Sequence, residues 1–336
     1  MTLSDRNKVV PQMADYDRVG DQWVPYLMRF DAPSRTFDSV STDEWGFRNS
    51  VGRSGETINI GRLAEMPNMP SASAIVGSSA VFGVGATHDK FTIPSVLNQT
   101  TDSIWLNYGG RAFNSTQELI LFLLHLPQRI EQIVIFSGVN NITLAYLSAS
   151  TSPVYNSFFF QSMFERAMAN PPDDFIGLRS AVIRLSKEVR HKFWPAVHLP
   201  VKKNLEHSYH DVLSCFKRDL RALKAVATGL GVPLYFALQP LATWLDKPLS
   251  NEEKNVFEIL DSMSMDWQVL AQKIMEVRDK YFSDVAQICS DLSVPYCNTN
   301  LAPEFLTEEW LFVDRVHLTD RGCQIAAQIL KREFNL

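Results

Sequence analysis

A serine hydroxyl is a weak nucleophile until a nearby base takes its proton, and a histidine serves as that base when a carboxylate orients its ring. The chain carries these residue types at separated places. Asp314-Arg315-Val316-His317 sets a carboxylate three residues before an imidazole, so that one ring nitrogen can be held while the other stays free to accept a proton. Gly77-Ser78-Ser79 offers the hydroxyl. Gly109-Gly110 offers backbone with no side chain to block a substrate oxygen, and Gly138-Val139-Asn140-Asn141 offers side-chain amides. Together they fill the roles of acyl transfer: Ser79 as nucleophile, His317 as base, Asp314 as its orienting acid. The backbone N–H of Ser79, that of Gly109 or Gly110, and the Asn140 amide would receive the developing oxyanion. Gly109 is preferred because it directly follows the strand residue Tyr108. Each signal alone is weak, since Gly-Ser-Ser and Asn-Asn are ordinary turn sequences and a lone histidine is usually packed or solvated.

The elements around these residues make the combination informative. Ala74-Ile75-Val76 is a short apolar strand that runs into Gly77-Ser78-Ser79. Ile104 to Tyr108 is a second strand, ending at Gly109-Gly110, and Ile133 to Phe136 is a third, ending at Ser137-Gly138. Ser115 and Glu118 have the spacing of a capping box, and the apolar residues Leu119, Phe122, Leu123 and Leu126 keep a helical period behind them. A helix from Tyr209 to Leu230 leads through Gly231-Val232-Pro233 into the strand Leu234 to Leu238. Residues 251 to 290 read as mostly helical, Val294 to Cys297 as a last short strand, and about 320 to 333 as a final helix. Alternating strands and helices predict an α/β fold, a three-layer α/β/α sandwich with a parallel sheet, in which functional groups collect at the carboxyl ends of the strands.

The main domain is expected at 71–336, with 1–70 as a polar extension lying on it and an insertion at about 146–210. In the extension, the patch from Asp43 to Asn49 is a candidate to dock near the site. The insertion holds Phe158, Phe159, Phe160 and Phe164, then Pro171-Pro172 and Arg190 to Trp194, and reads as a lid, a partner surface or plain packing. His207 and His210 lack a third ligand, so no metal site is expected and no cofactor is required. Arg111 is a candidate contact for an anionic substrate group or half of an ion pair.

Composition narrows the classes further. Of 336 residues, 46% are hydrophobic and 21% charged, the net charge is −5, and no basic cluster exceeds the pair Lys202-Lys203, which argues against nucleic acid as a partner. Four scattered cysteines without metal-like spacing suit reduced thiols and a cytoplasmic location. The first residues lack the apolar stretch of a secretory signal. The longest apolar run, Leu119 to Leu126, is broken by His125 and is too short for a membrane span.

The four blocks, in this order and at these strand ends, resemble the SGNH or GDSL-like hydrolases, a family of flavodoxin-like α/β/α sandwiches. Gly77 to Gly83 is similar to its G-D-S-L-x-x-G block and Asp314 to His317 to its D-x-x-H block. Gly138 to Asn141 is similar to G-x-N-D, and Gly109 or Gly110 falls in its second block. The resemblance implies a serine ester hydrolase that needs no metal or cofactor, often one that removes acetyl groups from carbohydrates or related small molecules. Alternatives are an acyltransferase with a hydroxyl acceptor and an inactive binding protein on the same fold. The last is prompted by two departures: Ser78 and Asn141 stand where the family has aspartates. The resemblance covers roughly 72–145 and 230–336.

Overall fold

The structure, a computed structural model, describes residues 2–65, 70–147, 154, 205–263 and 266–336. Among the described residues, five parallel strands form one central sheet. They are β5 (Ala72–Gly77), β6 (Trp105–Gly109), β7 (Ile130–Ser137), β8 (Leu234–Leu238) and β9 (Tyr296–Asn298), in the order β6-β5-β7-β8-β9. Side chains along each strand point alternately to opposite faces, and here both faces are covered. Ala74, Val76, Ile133, Ile135, Leu234 and Phe236 enter one core, while Ile75, Val134, Phe136 and Ala237 enter the other. This is the three-layer α/β/α arrangement that the alternation of strands and helices predicts.

On the first face lie α6 (Ser115–Leu124), α7 (Val139–Leu147), α8 (Leu205–Leu230), α10 (Asp266–Glu276) and α11 (Arg278–Asp291). The second face carries α4 (Ser79–Phe82), α5 (Ile93–Thr100), α9 (Asn251–Met263) and α12 (Asp320–Phe334). The chain leaves β5 for one neighbour, β6, and then crosses to the other, β7. A crevice therefore opens beyond the carboxyl ends of β5 and β7, the usual ligand position in such sheets.

Two local readings shift. α6 is capped one residue earlier than Ser115: Asn114 Oδ1 accepts from the Gln117 N–H at 3.0 Å, and Gln117 Oε1 accepts from the Asn114 N–H at 3.3 Å. Ser115 and Glu118 serve a different purpose, described below. The last strand begins at Tyr296, two residues after Val294, because Pro295 has no N–H for the ladder, although its carbonyl accepts from Phe236 N at 3.0 Å.

Residues 2–65, which show no sustained period, form α1 (Leu3–Val9), α2 (Met13–Arg18) and α3 (Ile60–Glu65). Two miniature antiparallel pairs join them, β1 (Asp21–Gln22) with β2 (Phe30–Asp31) and β3 (Ser50–Val51) with β4 (Thr57–Ile58). Elements this short bury too few residues each to write a pattern. They are secured instead by specific polar contacts to the sheet domain. The Tyr16 hydroxyl lies 2.7 and 2.8 Å from the carbonyls of Gly83 and Ala86. Arg48, in the patch from Asp43 to Asn49, is buried and donates to Asp89 Oδ1 at 2.6 Å, Ser39 O at 2.7 Å and the Tyr16 hydroxyl at 2.9 Å. The patch thus abuts the turn that follows α4. The phenylalanine cluster at 158–164, His191 and His198 lie outside the described residues, as do the side chain of His207 and most of the expected insertion. Among the described residues no helix is long and apolar enough to cross a membrane.

Candidate active site

Ser79 opens α4, directly beyond the carboxyl end of β5. Ser78 is the N-cap residue, and Gly83 ends the single turn in a left-handed conformation. The first N–H groups of any helix lack intrahelical partners, so the Ser79 N–H is free to serve a ligand. His317 and Asp314 come from the loop between β9 and α12. There the N–H groups of Val313 and Thr319 donate to the carbonyls of His317 and Leu311 at 2.9 and 2.8 Å, closing a hairpin with Asp314 near its tip.

Asp314 Oδ1 accepts from the backbone N–H groups of Val316 and His317, each at 2.8 Å. Its Oδ2 lies 2.7 Å from His317 Nδ1, and His317 Nε2 lies 2.8 Å from Ser79 Oγ. A carboxylate only accepts, so Nδ1 carries the proton and Nε2 is left to accept from the serine hydroxyl. Burial works against the charge on Asp314, but the adjacent imidazole and the three hydrogen bonds outweigh it and hold the carboxyl below its ordinary value. The arrangement can therefore draw a proton from Ser79 and stabilise the imidazolium that results.

The structure brings Asn140 to the same place. Gly138, at φ +107°, turns the chain out of β7 into α7, and Asn140 lies in the first turn of that helix. One amide hydrogen of Asn140 goes to Phe113 O at 2.7 Å, which orients the group and leaves the second hydrogen available. Ser79, His317, Asn140 and Thr143 line a cavity of about 440 Å³, large enough for a small molecule. Its remaining wall includes Met13, Tyr16, Val84 and Val316.

The glycines are a correction. Gly109 does not offer its N–H to the cavity, because that group donates to Asn107 Oδ1 at 3.0 Å, and Gly110 N donates to Gly77 O at 3.1 Å. Neither residue lines the cavity. Gly109 is glycine for a packing reason: a Cβ there would lie 2.1 Å from Phe82 N. The residue of this loop that does reach the cavity is Ala112, held at φ +62°. Among the described residues its N–H has no partner. Nothing local in the sequence marks it, since alanine does not advertise a left-handed conformation.

Ser78 and Asn141 face away from the cavity. The Ser78 hydroxyl is buried against Gln239 Oε1 at 3.4 Å. Asn141 donates to Ser115 Oγ at 2.8 Å and accepts from Ser115 N at 3.3 Å, and Ser115 Oγ donates onward to Asp219 at 2.7 Å. Beside this chain, Ser137 Oγ donates to buried Glu118 at 2.6 Å, and Tyr281 donates to Gly138 O at 2.6 Å. Polar groups on α6, α8 and α11 therefore fix the turn that presents Asn140.

Charged residues on the cavity wall are paired. Arg111 is bound to Asp31 and lies 3.1 Å from Asp21, so it is the ion pair of the two readings. Arg29 pairs with Asp21 and donates to Arg111 O at 2.7 Å, and Asp17 pairs with Arg6. Met13, Tyr16, Asp17 and Arg29 were not recognisable as site residues, because they reach the cavity only when the N-terminal segment folds back over it. Among the described residues no group of three or more His, Cys, Asp or Glu could hold a metal ion. His210 is exposed on α8, and His88 Nδ1 accepts from Lys90 N at 3.1 Å.

No protein-family model matches the sequence, and no curated protein sequence matches it. Solved structures do. The acetylxylan esterase Axe2 of Geobacillus stearothermophilus aligns over 79% of this chain and 94% of its own, with 14% identity and a TM-score of 0.43. A lipolytic protein assigned to the G-D-S-L family, from Desulfitobacterium hafniense, aligns over 79% of this chain and 99% of its own, at 12% identity and a TM-score of 0.39. A protein from Bacteroides fragilis described as an acylhydrolase aligns over 82% and 93%, at 12% identity and a TM-score of 0.40.

Proposed function

We propose that the protein is a serine-dependent acyl ester hydrolase of the SGNH type. Its narrower reading is an esterase that removes O-acetyl groups from a carbohydrate or related small molecule. The observation that carries the proposal is the hydrogen-bonded line from Asp314 through His317 to Ser79, ending in the cavity. Ser79 Oγ attacks the ester carbonyl while His317 Nε2 takes its proton, and the same proton is returned to the leaving alkoxide. Water then attacks the acyl-enzyme, giving its proton to His317 and releasing the acid as Ser79 regains its hydrogen. Asp314 keeps the imidazole in the tautomer that both halves need.

The oxyanion of each tetrahedral intermediate is received by the Ser79 N–H, the free amide hydrogen of Asn140 and, in place of Gly109, the N–H of Ala112. These steps use no cofactor. The paired state of Asp17, Arg29 and Arg111 leaves no unbalanced charge on the wall, which favours an uncharged substrate such as a sugar ester over an ionic one. Four buried thiols, none of them in a disulfide, suit a reducing, cytoplasmic location.

The test is labelling by a fluorophosphonate probe, read by intact mass on wild type and Ser79→Ala in parallel. An adduct on the wild type alone supports the proposal; no adduct on either sinks it. Release of free acid from acetylated sugars at a rate independent of added alcohols then separates a hydrolase from an acyltransferase.

A further inference from the structure

The loop that carries Asp314 and His317 is gripped by one helix at two points. At its stem, Glu253 in the first turn of α9 is fully buried. Its Oε1 accepts from the backbone N–H groups of Leu311 and Phe312 at 3.0 and 3.1 Å. Its Oε2 accepts from Ser250 N at 2.9 Å and from Lys247 Nζ at 2.5 Å, and neither side chain of this ion pair has any exposed surface. At the tip, Arg315 lies between Asp314 and His317 in sequence. It donates two parallel hydrogen bonds to Asp261 near the end of the same helix, Nη1 to Oδ1 at 2.5 Å and Nη2 to Oδ2 at 2.8 Å. Its guanidinium also lies 5.0 Å from the ring centroid of Phe257 on α9, and its carbonyl accepts from Ala242 N at 2.9 Å.

The two grips differ in what they can do. Removing one partner of the buried pair would leave a charge without solvent or counter-ion, a cost paid in folding itself. The Asp261–Arg315 pair is 15% and 20% exposed, so water can take over when it is broken and little stability is lost. A bidentate pair does, however, fix direction as well as distance, because the planar guanidinium meets the carboxylate in one plane. Its place one residue from Asp314 and two from His317 lets it constrain how the imidazole is aimed at Ser79.

We infer that Asp261 and Arg315 are positioning residues, through which α9 sets the orientation of the Asp314–His317 pair relative to Ser79. The inference rests on the hydrolase reading above and adds to it a residue far from the cavity in sequence. Neither side chain touches the reacting atoms.

The experiment is a double-mutant cycle with Asp261→Ala, Arg315→Ala and the double variant. It measures the rate of fluorophosphonate labelling, kcat and KM on a small ester, and the urea unfolding midpoint. Each single variant is expected to lose about tenfold in kcat and in labelling rate, with KM unchanged, since small misplacements of a reacting group are costly in rate. The double variant should be no slower than the slower single one, and the unfolding midpoint should barely move. Arg315→Lys keeps the charge but not the two parallel bonds, and is expected to stay close to Arg315→Ala. Wild-type rates in the single variants, additive losses, or losses that track the unfolding midpoint overturn the positioning role and leave the hydrolase reading intact. A wild-type protein that takes no label overturns both.

Discussion

Glu118→Gln probes the polar layer behind Asn140. Glu118 is 1% exposed and accepts from Ser137 Oγ at 2.6 Å, in the strand residue just before the turn at Gly138. Burial pushes its carboxyl up from the ordinary 4.5 to about 8, with the nearby Asp219 carboxylate acting in the same direction and the Ser137 hydroxyl opposing both. The folded protein therefore keeps a proton that the unfolded chain gives up as pH rises past 4.5. Stability falls with pH across that window, at a slope of up to about 1.4 kcal/mol per pH unit, and levels off once the folded group ionises near pH 8. At full slope the whole window amounts to about 5 kcal/mol. Glutamine has the shape of the protonated acid and keeps an oxygen to accept from Ser137, but it cannot ionise. Urea unfolding at pH 5, 6, 7 and 8 should show Glu118→Gln gaining steadily on the wild type, with the two differing by a constant amount below about pH 4.5. Two curves that run parallel from pH 5 to 8 would refute the claim that Glu118 is buried and protonated in the folded state.

Other consequences are as direct. Asp314→Asn turns an NH₂ toward His317 Nδ1 and forces the wrong tautomer, so fluorophosphonate labelling should slow on the order of 10⁴-fold with the fold intact by circular dichroism. Asn140→Ala removes one oxyanion donor and should lower kcat by roughly 10²- to 10³-fold with a much smaller effect on KM; a loss confined to KM would remove Asn140 from the transition state. Gly109→Ala places a methyl group 2.1 Å from Phe82 N, a backbone atom that cannot step aside, and should destabilise the protein by about 2 kcal/mol or more in urea unfolding. An unchanged midpoint would show that α4 can shift away from β6.

The hydroxyl, imidazole, carboxylate and amide of the candidate site were legible in the chain itself, as were the strands that end beside them. Ile75, Val134 and Phe236 lie in continuous apolar runs because a parallel sheet covered on both faces needs them, and that need acts on neighbouring residues. Asp314 reaches His317 through a turn three residues long, so their pairing is also local. The oxyanion donors were only partly legible. Gly109 follows its strand as an oxyanion glycine would, yet whether its N–H is free depends on Asn107, and the need for a glycine depends on how closely α4 approaches. Ser115 and Glu118 have the spacing of a helix cap, yet Asn114 is the cap, and the two side chains turn instead toward Asn141, Asp219 and Ser137. Met13, Tyr16 and Arg29 became part of the cavity only when short elements folded across the sheet domain. Spacing along the chain determines which groups a strand or a single turn presents, because backbone geometry repeats over a few residues. The bonds from Gly110 N to Gly77 and from Asn140 to Phe113, and the walls that enclose the nucleophile, were decided by contacts between residues tens to hundreds of positions apart, and no local period records those.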